Sequence, residues 1–328
     1  MSGVCRVPHR DRSAIVISHS PEDPTISEDV IRALLEQDCP ALSRETLTPL
    51  EPGRDNATWR LGDHLAVRLP LHERAAAHVL NEQRWLPLLG PLLELEVPMP
   101  VHGGAPSEIF PRPWSVVRWI PGSTSEGHDF GVEGARRLAG ILRALHRDAP
   151  EDAPANPRRG GELAMQRDVV EERTARLREE TGEAHDWTAL EGIWTDALEA
   201  PAPEERVWLH GDLHPLNVII RDGSLAGILD WGDLSAGDVA TDLACGWLLF
   251  DTTRVRREFF RAAAAPEPIL RRAAGWALLM ALAHIDSGRA VQQRLGIAAL
   301  RHLADYWQEP LQVLRREGLQ KAAERARK

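Results

Sequence analysis

The sequence predicts an α+β chain of two lobes, a small sheet-containing one followed by a larger, mostly helical one. Three observations point to it. Short strand-like runs with turn residues between them crowd the first third of the chain. From about residue 121 onward the apolar residues recur at helical spacing. Within that helical region one polar loop and one strand–turn–strand unit stand out at Val207–Leu229.

Taken in order, residues 1–24 read as a polar leader, and the expected lobes are 25–120 and 121–328. Ser27 followed by Val30, Ile31, Leu34 and Leu35 reads as a capped amphipathic helix. Strand-like pieces follow at Thr46–Pro52, Thr58–Leu61 and Leu65–Leu69, with turns at Gly53–Asn56 and Gly62-Asp63. Residues 73–89 return to helical spacing, with Val79, Leu80, Trp85, Leu86 and Leu89 on the apolar positions. After a proline-punctuated stretch (Pro98 to Pro113), Trp114–Ile120 reads as a buried strand ended by Pro121-Gly122. Glu133–Arg147 is an amphipathic helix, 149–161 a Pro/Gly/charge-rich linker, and 163–198 a charged helical stretch. The segment from about 150 to 205 is thus an insertion in the second lobe. Successive helices are expected over 239–250, 254–264, 267–286, 289–307 and 309–327.

Composition narrows the function classes. The chain has 328 residues, 43% of them hydrophobic, enough for two lobes with sizeable cores. Its net charge is -10, the wrong sign for a nucleic-acid binder. Cys5, Cys39 and Cys245 lie far apart and form no CxxC pair, so they predict reduced thiols in a cytoplasmic protein. The N-terminus carries charges where a signal peptide needs an apolar core, and the apolar run Gly275–Ile285 is too short to span a bilayer. The only lysines are Lys321 and Lys328, so a cation in a site elsewhere has to be Arg or His. There is no GxSxG elbow, HExxH helix or Walker A loop.

The chemistry sits in Val207–Ala244. An apolar strand leads into His210-Gly211-Asp212, Asn217 follows five residues after Asp212, and a hairpin turning at Asp222-Gly223 leads into Asp230-Trp231-Gly232. A hairpin sets its ends side by side, so Asn217 and Asp230 are expected to face one another. Both carry oxygen donors suited to Mg2+, and Asp212 is placed to accept a hydroxyl proton. Asp and Asn are also turn residues, but three at this spacing between apolar strands predict phosphoryl transfer. A transition-metal site on His210, Asp212 and His214 is the weaker reading, because no further His/Cys cluster lies nearby in sequence.

The string HGDLHPLN, then LDWGD and GDVATDLA, resembles the hallmark of the aminoglycoside phosphotransferase (choline-kinase-like) family. The resemblance implies a bilobal protein-kinase-like fold with nucleotide between the lobes, Mg2+ as cofactor, and ATP or GTP as phosphate donor. It implies Asp212 as catalytic base, Asn217 and Asp230 as metal ligands, His210 as the histidine bracing the loop, and Asp238 as the helix-start carboxylate bonded to the loop. In the first lobe it implies Arg68, where many relatives have lysine, as the phosphate-binding cation, with Glu82 as its partner. Arg118, Trp119 and Ile120 resemble the hinge that meets the nucleotide base. The implied activity is transfer to a hydroxyl of a small molecule, an aminoglycoside or other antibiotic, hence antibiotic resistance. A kinase of an endogenous amino alcohol or sugar, and a nucleotide-binding pseudokinase, stay open. Glu171, Glu172, Glu179, Glu180 and Asp186 are either solvated helix faces or contacts for a cationic acceptor. A soluble monomer or homodimer, with neither nucleic-acid nor membrane partners, is expected.

Overall fold

The structure, a computed structural model, describes residues 26–309 apart from Pro52, Asp129 and Glu204. The expected leader, and all but the first residue of the expected helix 309–327, lie outside the described residues. In chain order the elements are α1 (Glu28–Asp38), β1 (Leu47–Pro49), β2 (Asn56–Leu61), β3 (Leu65–Pro70), α2 (Glu73–Leu89), β4 (Pro100–Gly104), β5 (Trp114–Arg118) and β6 (Ser123–Thr124). They continue with α3 (Gly131–Leu145), α4 (Arg167–Thr181), α5 (Trp187–Leu198), β7 (Val207–Leu209), β8 (Val218–Arg221), β9 (Ser224–Ile228) and β10 (Ser235–Gly237). The last are α6 (Ala240–Leu243), α7 (Cys245–Leu249), α8 (Thr253–Ala262), α9 (Glu267–Ile285) and α10 (Ala290–Trp307).

The chain divides into two compact units. Among the described residues, one is built from the chain up to Leu80 together with Pro100–Trp119, the other from Asn81–Met99 together with Ile120 onward. The sequence reading places a single boundary near residue 120. The packing returns 81–99 to the second unit, because Trp85, Leu86, Leu89, Leu93 and Val97 are buried in its core.

The first unit is an antiparallel sheet of order β1-β2-β3-β5-β4. Ser27 caps α1 by accepting from the Val30 N–H at 3.4 Å. That helix lays Ile31, Leu34 and Leu35 against Leu61, Val67, Leu69, Phe110, Trp114 and Val116. Strand β4 is missing from the sequence reading because Pro100 and the flanking Pro98 and Pro106 argue against a strand. It lies at the sheet edge with Pro100 as its first residue, where a missing N–H is tolerated.

The second unit is mainly helical, with α9 packed on α5, α6 and α10. The expected continuous helical stretch 163–198 breaks at Gly182, whose φ of +56° ends α4, and α5 restarts from Asp186, which accepts from the Ala189 N–H at 3.0 Å. Two small antiparallel sheets, β10-β7 and β6-β8-β9, carry the polar loop. Burial also corrects the reading of α2: Leu80 is 53% exposed, while Trp85, five residues on, is 7% exposed and stacks at 4.9 Å on Trp208.

Trp85→Ala is therefore expected to destabilise the chain by about 3–5 kcal/mol, and Leu80→Ala by no more than about 0.5 kcal/mol. Denaturant midpoints of the two variants check the contrast.

Candidate active site

The hairpin aligns the polar residues. Asp222 and Gly223 take φ of +52° and +71°, the left-handed pair of a tight two-residue turn, and Val218 pairs with Ile228. The register carries on one residue past the strands, where the Leu229 N–H donates to the Asn217 carbonyl at 2.8 Å. Asp230 comes next, at φ +56° with its side chain toward solvent.

Asp212 and Asn217 are joined directly. The Asn217 amide Nδ2 donates to the backbone carbonyl of Asp212 at 2.9 Å, which leaves Oδ1 as its oxygen donor. His214 is buried and bonded within the loop. Its Nδ1 accepts from the Leu216 N–H at 3.2 Å, and its Nε2 lies 3.2 Å from Asn217 Nδ2 and 3.4 Å from Asp212 Oδ2. His284 from α9 meets the His214 ring edge to face at 4.7 Å.

His210 links the loop to the hairpin. Fully buried, its Nδ1 accepts from the Asp212 N–H at 3.2 Å and its Nε2 donates to the Leu229 carbonyl at 2.9 Å. Its ring packs on Trp231 at 4.8 Å. Asp212, Asn217 and the hairpin end bearing Asp230 thus form one bonded cluster.

The carboxylate that holds this loop is Asp242, not Asp238. Asp242 Oδ2 accepts from the His210 N–H at 2.9 Å and Oδ1 from the Gly211 N–H at 2.8 Å. His146, just past α3, adds its Nε2 at 3.0 Å to Oδ2. Gly211 has φ +88°, and a Cβ there would sit 2.8 Å from the Asp233 carbonyl, so the approach needs glycine. Asp238 instead accepts from the Ala240 N–H at 3.0 Å and takes the Arg272 guanidinium in a two-point fork at 2.6 and 3.0 Å. Both carboxylates flank the start of the same helix, and only the tertiary approach of the loop separates their roles.

Charge around Asp212 decides its state. Burial by itself raises the carboxyl, but the His214 imidazole and the Arg159 guanidinium, at 3.2 Å from Oδ1, hold it well below the usual carboxylate range. Arg159 falls in the stretch 149–161 that the sequence presents as a linker. The donor set near the loop suits a hard divalent cation, since Asn217 Oδ1 and the Asp230 carboxylate are both oxygens and Asn217 is held rigid at 7% exposure.

The remaining expected residues fall elsewhere in the sequence. Arg68 is on β3 of the first unit, opposite Thr58 and Ser115, and half-buried. Glu82 is 2% exposed on the part of α2 that belongs to the second unit. Asp55, in the turn before β2, is tied to His72 at 3.0 Å. Arg118 is exposed at the end of β5, and the Trp119 N–H donates to the His64 carbonyl at 2.8 Å. Ile120, the first residue of the second unit here, packs with Ile219 and Ala226. Of the acidic residues weighed for a cationic acceptor, Glu171 and Glu172 pair with Arg167 and Arg176 along α4, and Asp186 caps α5. Among the described residues no helix is long and apolar enough to cross a membrane.

The family model described as the phosphotransferase enzyme family matches residues 46–277. An aminoglycoside 3'-phosphotransferase of Streptomyces fradiae is 31% identical over 157 residues, 46% of this chain and 57% of its own length. One of Escherichia coli is 29% identical over 140 residues, 41% of this chain and 51% of its own. The chain thus spans about half the length of these curated relatives. Among solved structures, the GDP complex of wild-type aminoglycoside 2'-phosphotransferase-IIIa superposes with a TM-score of 0.62 at 16% identity, over 86% of this chain and 99% of that one. The macrolide 2'-phosphotransferase MphH of Brachybacterium faecium gives 0.55 at 23% identity, over 83% and 98%. The fold is that of these phosphotransferases.

Asp242→Asn is expected to cost about 2–4 kcal/mol at pH 7, because two buried backbone N–H groups lose a charged acceptor. Burial raises the Asp242 carboxyl, but His146, His210 and the Gly211 N–H outweigh this and bring it below its ordinary value. A folded value below the unfolded one makes the stabilisation complete above about pH 4 and lost as pH falls through the lower folded value. Unfolding curves of wild type and variant should therefore differ at pH 7 and converge in acid.

Proposed function

The chain belongs to the phosphotransferase enzyme family, and from that membership we propose that it moves the terminal phosphoryl group of Mg-bound ATP or GTP to a hydroxyl of a small molecule. An aminoglycoside or another antibiotic is the acceptor class. The observation that carries this reading is the single bonded cluster of Asp212, Asn217 and the hairpin end with Asp230. Relatives support the donor: one neighbour is a GDP complex and another a streptomycin–ATP ternary complex.

In this reading Asn217 and Asp230 hold Mg2+, which when bound neutralises charge on the phosphate oxygens. The acceptor hydroxyl oxygen forms a bond to the terminal phosphorus. The bond from that phosphorus to its bridging oxygen breaks, and the nucleoside diphosphate leaves. The hydroxyl proton passes to the Asp212 carboxylate. A carboxylate held well below its usual range is charged at neutral pH but a weak base, so it orients the hydroxyl first and takes the proton late. Arg68 and Glu82 serve the nucleotide's phosphates, with arginine in the lysine role, and the chain around Arg118, Trp119 and Ile120 meets the base.

Incubation with Mg-ATP or Mg-GTP and a panel of kanamycin, gentamicin, streptomycin and a macrolide, read by mass for one added phosphate, tests the proposal. Asp212→Ala is expected to lower transfer by at least about 10³-fold with nucleotide affinity kept, and Asp230→Ala to weaken Mg-nucleotide binding. Full transfer by Asp212→Ala would remove the base assignment. Nucleotide binding with no transfer to a wide acceptor panel would favour a pseudokinase. Arg68→Ala is expected to raise the nucleotide KM by about tenfold, and Arg68→Lys to stay near wild type. Steady-state kinetics at varied nucleotide check both.

A further inference from the structure

The segment that the sequence presents as a linker is built into the second unit as a strap. Its residues 154–160 are fixed at three points, one on β10 itself and one on the chain to either side of it. The Pro154 carbonyl accepts from the Ala236 N–H at 2.8 Å, Asn156 Nδ2 donates to Asp233 Oδ1 at 2.7 Å, and the Gly160 carbonyl accepts from the Asp238 N–H at 2.9 Å. Asn156 also turns the strap on itself, its Oδ1 accepting from the Arg158 N–H at 3.0 Å and its carbonyl from the Arg159 N–H at 3.1 Å. The strap lies so close that a Cβ on Gly237 would fall 2.2 Å from the Gly160 carbonyl.

Arg159 is the side chain this strap delivers. Its Nη2 donates to Asp212 Oδ1 at 3.2 Å, on the carboxylate oxygen that His214 does not face. Its Nε is buried with no hydrogen-bond partner among the described residues. A guanidinium free to choose would satisfy that donor. The anchored backbone, rather than the arginine's own bonding, therefore decides where the charge sits.

Resting on the functional reading above, we propose that Arg159 is a positioning residue for the phosphoryl transfer. With His214 on the other oxygen, it fixes the plane of the Asp212 carboxylate from a pre-built strap. A carboxylate gripped at both oxygens cannot rotate, and each oxygen keeps a lone pair for the acceptor hydroxyl. Order built into the free protein is not lost again at each turnover.

The test uses the full chain, Mg-GTP and Mg-ATP, and whichever acceptor of the antibiotic panel the wild type phosphorylates fastest. Arg159→Ala is expected to lower kcat by about 100-fold, with nucleotide and acceptor KM within about threefold and the melting temperature kept. Arg159→Lys restores the rate to within about tenfold of wild type, and Asn156→Ala, which loosens the strap with Arg159 still present, costs about tenfold in kcat. If Arg159→Ala keeps its kcat, or if its loss tracks a lower melting temperature that Arg159→Lys shares, this inference is overturned alone. A wild type that transfers phosphate to nothing overturns the functional reading and this inference together.

Discussion

The Asp242 carboxylate has no exposed surface, yet it receives the His210 and Gly211 N–H groups and the ring of His146. A buried charge of that kind is tolerated only when its acceptors are filled. The requirement works in both directions. The loop N–H groups, turned inward by the left-handed Gly211, have no other acceptor among the described residues, and the carboxylate is closed to solvent. The end of α3, the start of the helix at Ala240 and the loop before Asp212 must therefore come together or each lose its bonds. His210 extends the constraint, since the same side chain that follows the braced N–H reaches across to the Leu229 carbonyl beside Asp230. The spacing between the loop and the hairpin end descends from that one buried anchor.

Around Asp212 the cations are arginine and histidine. Lys321 and Lys328 lie outside the described residues, so every described ion pair uses a guanidinium or an imidazole. Arginine's planar fork suits fixed, two-point tasks, as Arg272 shows on Asp238, where both carboxylate oxygens are taken. On Asp212 the same residue type takes one oxygen only, and His214 faces the other. The difference matches the positions of the two acids. Asp238 is 2% exposed and closed off, whereas a quarter of the Asp212 side chain stays open to solvent. One acid is structural glue, and the other is held still while remaining reachable.

Much of the site could be read from local sequence. The hairpin was readable because Asp222-Gly223 is a turn signal of strict geometry, whereas the bulge at Ala226, which shifts the register by one residue before the Asn217 end, was not. The α1 cap at Ser27 was readable for the same local reason. Strand β4 was not, because proline's lost N–H matters only if a strand is central, and edge position is a tertiary fact. That Asp242 rather than Asp238 braces the loop was not readable either. Two acids four residues apart, one just before a short helix and one within it, differ in which one faces the incoming loop.

By itself the sequence determined the family, the α+β class, and the loop and hairpin that carry Asp212, Asn217 and Asp230, because each depends on residue types at short separations. Only the tertiary structure decided which carboxylate braces the loop, that His214 is buried, that 81–99 joins the second unit, and that a supposed linker carries Arg159 to Asp212. Those contacts join residues 34 to 96 positions apart, as in Arg272–Asp238, Arg159–Asp212 and His146–Asp242. Hydrogen-bond partners over such distances are chosen by how separate elements pack, and no periodicity along the chain records that choice.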